Sequence, residues 1–135
     1  MLHRRADRIG LGIIGGVTVV GLVLVPRLPA EVAIHFTAGG TPDNYVPRLV
    51  AVFSVPGIAL ATILLIRGAA RLDPPTDPRS IDAVIIGMAS MLSAIYLLVL
   101  AWNLGYTVSM SLVAAGTVLC TIVLASYVVL RETAE

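Results

Sequence analysis

Long apolar runs separated by short polar connectors dominate the pattern along this chain. Residues 9–25 and 49–66 are two such runs, and residues 83–130 contain no charged side chain and are long enough for two more, 83–102 and 106–130. A helix needs about 20 apolar residues to cross a bilayer. The pattern therefore predicts an all-α membrane protein, a single domain over residues 1–135 with four transmembrane helices.

The composition indicates lipid as the main solvent of the chain. Hydrophobic residues make up 58% of its 135 residues and charged residues 13%, whereas an average domain has about half and a quarter. A soluble body of this size could not bury so much apolar surface. The net charge of +1, with arginines scattered at the ends of the runs, predicts no nucleic-acid partner.

The predicted membrane interior carries no recognisable chemistry. The middles of the four helices hold no Asp, Glu, Lys, Arg or His, which argues against proton-coupled transport. No nucleophile–base pair and no metal-ligand motif is present, so we expect a protein that is not an enzyme and has no cofactor or metal. A small accessory or structural subunit of a larger membrane complex and a minimal transporter are the alternatives.

The arginines predict the orientation in the membrane. Seven of them lie before residue 9, between residues 67 and 82, or after residue 130, and two, Arg27 and Arg48, lie in the connector 26–48. Positive residues concentrate on the cytoplasmic side of membrane proteins. We therefore expect a multi-pass protein of the cell membrane with both termini in the cytoplasm and the connector 26–48 outside.

This extracytoplasmic connector is the richest segment of the chain. Residues 32–36 are β-formers, and as a strand they would place Val32, Ile34 and Phe36 on one face and Ala33 and His35 on the other. The glycine pair 39–40 predicts a turn with positive φ, and residues 41–44 predict a second turn. We therefore expect an ordered loop rather than a plain linker.

The pattern LP-x-x-V/I-x-x-HF-x-x-x-G-x-PD-x-Y in this loop resembles the signature of SdpI-type membrane immunity proteins, which share a domain of unknown function with other prokaryotic membrane proteins. The resemblance covers the first two helices and the loop, about half of the chain. It implies a protein that protects against or senses a secreted peptide toxin, and a basic residue where Arg48 stands. The signature residues are Leu28, Pro29, Val32, His35, Phe36, Gly40, Pro42, Asp43, Tyr45 and Arg48.

Two interpretations of His35 stay open. In the structural one, His35 bonds Asp43 or a backbone carbonyl and orders the loop. In the functional one, His35, Asp43 and Glu31 bind a ligand, a peptide or a divalent ion. The expected partners are the lipid bilayer and either a peptide toxin or another membrane protein.

Glycines on the predicted helices indicate close helix packing. Gly12 and Gly16 form a GxxxG pair in the first helix, and Gly87 and Gly116 lie in the third and fourth. Small residues let helix backbones approach in lipid. We expect packing within one bundle, with a homo-oligomer through the first helix as the alternative.

Overall fold

The computed structural model describes residues 4–134. It contains four long helices with a two-stranded hairpin between the first two. All four helices are long and apolar enough to cross a membrane, which confirms the predicted fold class. The elements are α1 (Arg5–Leu24, followed by a 3-10 turn at Val25–Arg27), β1 (Glu31–Phe36), β2 (Pro42–Pro47), α2 (Arg48–Leu72), α3 (Pro78–Asn103) and α4 (Met110–Thr133).

The helices extend beyond the apolar runs from which they are predicted. α1 begins at residue 5 instead of 9, α2 ends at 72 instead of 66, and α3 begins at 78 instead of 83, with Asp77 as its N-cap. α4 begins at 110 instead of 106, because Gly105 has a φ of +90° and Ser109 caps the new helix. The apolar runs stop at charged residues, whereas the structure places several of these residues inside the helix ends.

Three of the helices, α1, α2 and α3, pack around a shared core, and α4 packs against α3. The first turn of α4 contributes its one buried residue, Met110. The chain alternates direction, so the bundle has two ends. We call the end at Leu24, Arg48, Asn103 and Met110 the hairpin end, and the opposite one, where α2 leads into α3, the arginine end. The core residues are Ile14, Ala59, Ile63, Ile85, Met88 and Ala89 toward the arginine end and Leu28, Val32, Ala51, Val52, Tyr96 and Leu100 toward the hairpin end.

A tyrosine of α3 completes the hydrogen bonding of α2 where a proline interrupts it. Pro56 lies inside α2 and has no N–H to give to the carbonyl of Val52, four residues earlier. The Tyr96 hydroxyl donates to that carbonyl over 3.0 Å. Gly21 of α1 makes the approach possible, since a Cβ there would lie 1.8 Å from the hydroxyl oxygen. Tyr96 therefore contacts both α1 and α2 and joins the three helices at one point inside the apolar core.

Buried charges join the same three helices at the arginine end. Arg67 of α2 donates from Nε to Asp7 of α1 over 2.7 Å and from Nη2 to Asp82 of α3 over 2.9 Å. Asp7 is fully buried and the Arg67 side chain is 10% exposed. A buried charge is tolerated when it is paired and hydrogen-bonded. This network explains how α1, α2 and α3 extend past the apolar runs.

The predicted glycine contacts are only partly found within the bundle. Gly87 faces α4, where a Cβ would meet a leucine at 3.0 Å. Among residues 4–134, no side chain lies within 4 Å of such a Cβ at Gly12, Gly16 or Gly116. Packing within one bundle is therefore the wrong interpretation for these three glycines. Gly10, which has no place in the GxxxG pattern, lies against side chains of α2 and α3 instead.

Candidate functional site

The connector between α1 and α2 folds into an antiparallel hairpin, β1–β2. Its turn closes with two backbone bonds of 2.8 Å, from Thr37 N–H to the Thr41 carbonyl and from Gly40 N–H to the Thr37 carbonyl. Gly40 has a φ of +83°, which confirms the turn predicted from the glycine pair. The second predicted turn, at 41–44, is wrong, because Pro42 already begins β2.

The inner side of β1 does not follow the simple alternation predicted from the sequence. Val32 and Ala33 are adjacent and both are fully buried, whereas an undistorted strand places neighbours on opposite faces. The rest of the strand keeps the predicted faces, because Ile34 packs against the same core cluster as Val32 and His35 is exposed. The ladder shifts register between Ala33 and His35, which marks a bulge at Ile34. Val32 packs into the bundle core, and Ala33 is covered by the end of α3.

Asn103, the last residue of α3, attaches the free edge of β1 to the bundle. Its side-chain oxygen accepts from Ala33 N–H over 2.8 Å, and its Nδ2 donates to the Ala33 carbonyl over 2.9 Å and to the Val99 carbonyl over 2.8 Å. One amide thus pairs both backbone groups of a buried residue, as a neighbouring strand would. Part of the hairpin backbone is therefore fixed relative to α3.

Arg48, the first residue of α2, joins the base of the hairpin to the end of α1. Its Nη1 donates to the carbonyls of Val25 and Leu28, at 3.4 and 3.3 Å. Those carbonyls belong to the 3-10 turn that ends α1 and to the residue after it. A guanidinium is well suited to carbonyls at a helix C-terminus, where partial negative charge accumulates. The basic residue of the signature therefore has an internal structural contact.

Two further contacts hold the tip of the hairpin against the helix ends. The ring of Phe36 meets Trp102 of α3 edge to face, with centroids 5.0 Å apart. The Ser111 hydroxyl of α4 donates to the Ala38 carbonyl over 3.0 Å. The hairpin is consequently attached to α1, α3 and α4, in addition to its direct connection to α2.

The outer face of the hairpin has no such cover. Glu31, His35, Asp43, Asn44 and Tyr45 are exposed. His35 Nδ1 and Asp43 Oδ1 lie 2.6 Å apart, with the side chains 68% and 44% exposed. The hydrogen bond expected in the structural interpretation is therefore present, at the surface and open to a partner.

Metal binding finds no further support on this face. Among residues 4–134, no three side chains of His, Cys, Asp or Glu are close enough together to hold a metal ion. Glu31, which the functional interpretation joins to His35 and Asp43, therefore does not complete a set of three ligands. A histidine–carboxylate pair at a surface can still accept and donate hydrogen bonds to a polar partner.

The hairpin residues of this face carry carboxylates only, although the exposed Arg27 lies just before them at the end of α1. Residues 28–47 contain Glu31 and Asp43 and neither Lys nor Arg. Arg48 points its guanidinium at backbone carbonyls and does not neutralise the exposed carboxylates by direct pairing within residues 4–134. The face is therefore acidic, with one aromatic side chain, Tyr45, that is 51% exposed.

The signature residues consequently divide by their position. A buried or half-buried group forms the attachment, and an exposed group forms the outer face. The attachment group consists of Leu28, Val32, Phe36, Gly40, Pro42 and Arg48, and the exposed group consists of Pro29, His35, Asp43 and Tyr45.

Sequence reasoning missed the residues of α3 and α4 that complete the attachment. Asn103 reads as a turn former in the sequence, and Ser111 has no marked signal. The one signal for Asn103 in the sequence is its polar side chain at the end of an apolar run, where a hydrogen-bond partner is needed. Its partner lies 70 positions away, so the contact could be found only after the fold.

Comparison with known proteins gives a match to a family model around the hairpin. No curated protein and no solved structure matches the chain. Residues 12–60, just over a third of the chain, match the model of a family described as Domain of unknown function (DUF1648). The matched segment contains most of α1, the whole hairpin and the first half of α2. The chain is thus a membrane-type four-helix protein that is similar to DUF1648 in the part that holds the signature.

Proposed function

We propose that this protein is a non-enzymatic, multi-pass protein of the cell membrane that binds a peptide or another membrane protein through the outer face of the hairpin. By its resemblance to SdpI-type proteins, the partner is a secreted peptide toxin, and the hairpin protects the cell or senses the toxin. The proposal places the hairpin outside the cell and both termini in the cytoplasm, as the arginine distribution favours.

One observation carries the proposal: a fixed backbone presents polar side chains to the surroundings. Ala33 is bonded through both of its backbone groups to Asn103, while His35, Asp43 and Tyr45 are exposed. Binding residues are commonly found on loops that a rigid scaffold positions. A loop that only connected two helices would not need attachments to α1, α3 and α4.

The charge of the face favours a basic partner. Glu31 and Asp43 are exposed carboxylates in a segment without Lys or Arg. Complementary charge raises association rates and suppresses wrong partners. Tyr45 adds an aromatic surface of the kind that is enriched at interfaces. A cationic peptide arriving at the membrane surface fits these features better than an acidic one.

Site-specific photocrosslinking in the native host tests the proposal. A benzophenone amino acid replaces Tyr45 on the outer face, or Leu72 at the arginine end as a control that is 91% exposed. We expect a defined crosslinked partner from position 45 and not from position 72. The double variant His35→Ala/Asp43→Ala should reduce the crosslink, while Asn44→Ala, a change at a neighbouring exposed residue, should leave it largely intact.

Two results would count against recognition by the hairpin. One is the same crosslinked species from both probe positions, which indicates contact with bulk membrane proteins. The other is an unchanged crosslink in the His35→Ala/Asp43→Ala variant. Toxin tolerance of the same strains separates immunity from binding: loss of crosslinking with full tolerance would leave a recognition protein without a protective role.

The exposed glycines support an accessory or structural subunit as a second candidate function. Gly12, Gly15 and Gly16 lie on the surface of α1 with no side chain near them, and such surfaces allow another helix to approach closely. Gly12→Leu and Gly16→Leu should then release a partner subunit in native gels of detergent extracts. Unchanged migration of both variants would remove this candidate.

A further inference from the structure

An open apolar groove runs between α3 and α4. It has a volume of about 1000 Å³, and it lies where α4 packs on α3, the helix with which α4 makes its main contacts. Both walls contain small residues that keep the groove wide. They include Ala83, Gly87 and Ala94 of α3 and Gly116 and Cys120 of α4.

An arginine lies one helical turn beyond each wall of the groove, at the same mouth. Ala83 is the groove residue of α3 nearest the arginine end, and Arg79 lies four positions before it. Tyr127 is the corresponding residue of α4, and Arg131 lies four positions after it, with its guanidinium 5.3 Å from the Tyr127 ring. Residues four apart share one face of a helix. The two cations therefore continue the two walls.

The opposite mouth has no charge of this kind. The groove ends there at Leu98 and Leu112, and the residues four positions beyond them in sequence are Trp102 and Val108. The groove thus has an apolar length and one cationic end. This asymmetry fits an amphipathic molecule with an anionic head.

Two carboxylates, Glu132 and Asp77, share this mouth with the arginines, and both already accept hydrogen bonds. Glu132 accepts bonds from the Ser80 hydroxyl and from the backbone N–H of Thr76 at 2.7 Å. Asp77 caps α3 and lies 3.4 Å from Arg131. Within residues 4–134, the Arg79 guanidinium has no salt bridge. Donors for an anion therefore remain at this mouth.

We infer that the groove holds one acyl chain of an anionic phospholipid, with its phosphate group at Arg79 and Arg131. The lipid belongs to the leaflet at the arginine end. It fills a space that the protein leaves open and completes the packing of α4 on the bundle. The site is separate from the hairpin and does not depend on the proposed function.

The groove is longer than the hydrocarbon of one leaflet is thick. The lining residues of α3 run from Ala83 to Leu98, which is about 22 Å at a rise of about 1.5 Å per residue. The hydrocarbon of one leaflet is about 15 Å thick. A chain that enters at the arginines therefore stays inside the groove over its whole depth. The alternative occupant is a helix from a second copy of the chain. That alternative does not explain why Arg79 and Arg131 lie at the same mouth.

Native mass spectrometry of the purified full chain tests the inference with two defined lipids, phosphatidylglycerol and phosphatidylcholine. We expect one tightly held phosphatidylglycerol and weaker retention of phosphatidylcholine. Arg79→Gln and Arg131→Gln should each weaken phosphatidylglycerol binding by about fivefold, the upper range for an exposed ion pair. Gly116→Leu should abolish retention of both lipids, because its side chain would enter the groove at a position with no neighbour within 4 Å.

Matched variants separate lipid binding from general effects. Arg71→Gln changes another exposed arginine at the same end, and Gly12→Leu changes an exposed glycine of α1; neither should alter retention. Asp77→Asn removes the partner of Arg131 but keeps the cation, so binding should persist. Cys120→Leu fills the same groove and gives a second test if Gly116→Leu does not fold.

Three outcomes would overturn the inference. The first is equal retention of both lipids in the unaltered protein, and the second is unchanged retention in both groove-filling variants. The third is a lipid-free dimer that the groove-filling variants convert to monomer, because this would make a second copy the occupant.

Discussion

Substitution of Asn103 by alanine should release the hairpin while leaving the bundle folded. The change removes the partners of Ala33 N–H and of the Ala33 carbonyl, and Ala33 is fully buried. A buried backbone group that loses its partner costs about 1–3 kcal/mol. Two such groups make the docked hairpin less stable by about 2–6 kcal/mol. Since about 1.4 kcal/mol corresponds to a factor of ten, the undocked population should rise at least about thirtyfold.

Hydrogen exchange of the detergent-solubilised protein, followed by mass spectrometry, measures this release. Peptides covering β1 and β2 should exchange at least about thirtyfold faster in Asn103→Ala, and peptides from the middle of α3 should exchange as before. Asn44→Ala is the matched control, because Asn44 is an exposed asparagine of β2. Equal exchange of the hairpin in the unaltered protein and in Asn103→Ala would refute the reasoning.

Two further predictions concern the bundle, and both are checked by thermal or denaturant unfolding in micelles. Tyr96→Phe should lower the free energy of unfolding by about 1–3 kcal/mol, because the Val52 carbonyl loses its donor in the core; an unchanged unfolding midpoint would contradict this. Asp7→Ala should cost about 3 kcal/mol, because Arg67 is left buried with Asp82 as its remaining partner. Stability of Asp7→Ala equal to that of the unaltered protein would show that the network contributes nothing.

The helices could be predicted from the sequence because membrane crossing imposes a length and an apolar composition. Runs such as residues 9–25 satisfy both without any knowledge of contacts. The helix ends could not be predicted in the same way. Asp7 and Arg67 look like boundaries in the sequence, yet they lie inside helices because they pair over a separation of 60 positions.

The hairpin shows the same division between local and long-range information. The turn at Gly40 depends on local backbone conformation, and the sequence predicts it. Alternation along β1 correctly predicts that Val32 and Ile34 pack toward the core and that His35 is exposed. The burial of Ala33 depends on Asn103, which alternation alone does not indicate. The same limit applies to the repair of α2 by Tyr96, which the proline alone does not indicate.

The candidate site could be located from the sequence but not assembled from it. The signature residues identify the connector 26–48 as the unusual segment. The hydrogen bond between His35 and Asp43 belongs to one of the two interpretations that the sequence allows. Which residues attach the hairpin and which face outward follows from the helix ends that lie beneath it. Trp102 and Ser111 supply part of that support from the half of the chain without a motif.

Crosslinking yield at position 45 in native membranes tests the central claim most directly, when it is measured together with hairpin exchange in the same samples. The account predicts that His35→Ala/Asp43→Ala lowers the yield of the partner crosslink while the exchange of β1 stays at the level of the unaltered protein. That result would show that the side chains of the outer face are needed for partner binding and not for attaching the hairpin to the bundle. An undiminished yield with unaltered exchange would contradict the claim that this face recognises a partner.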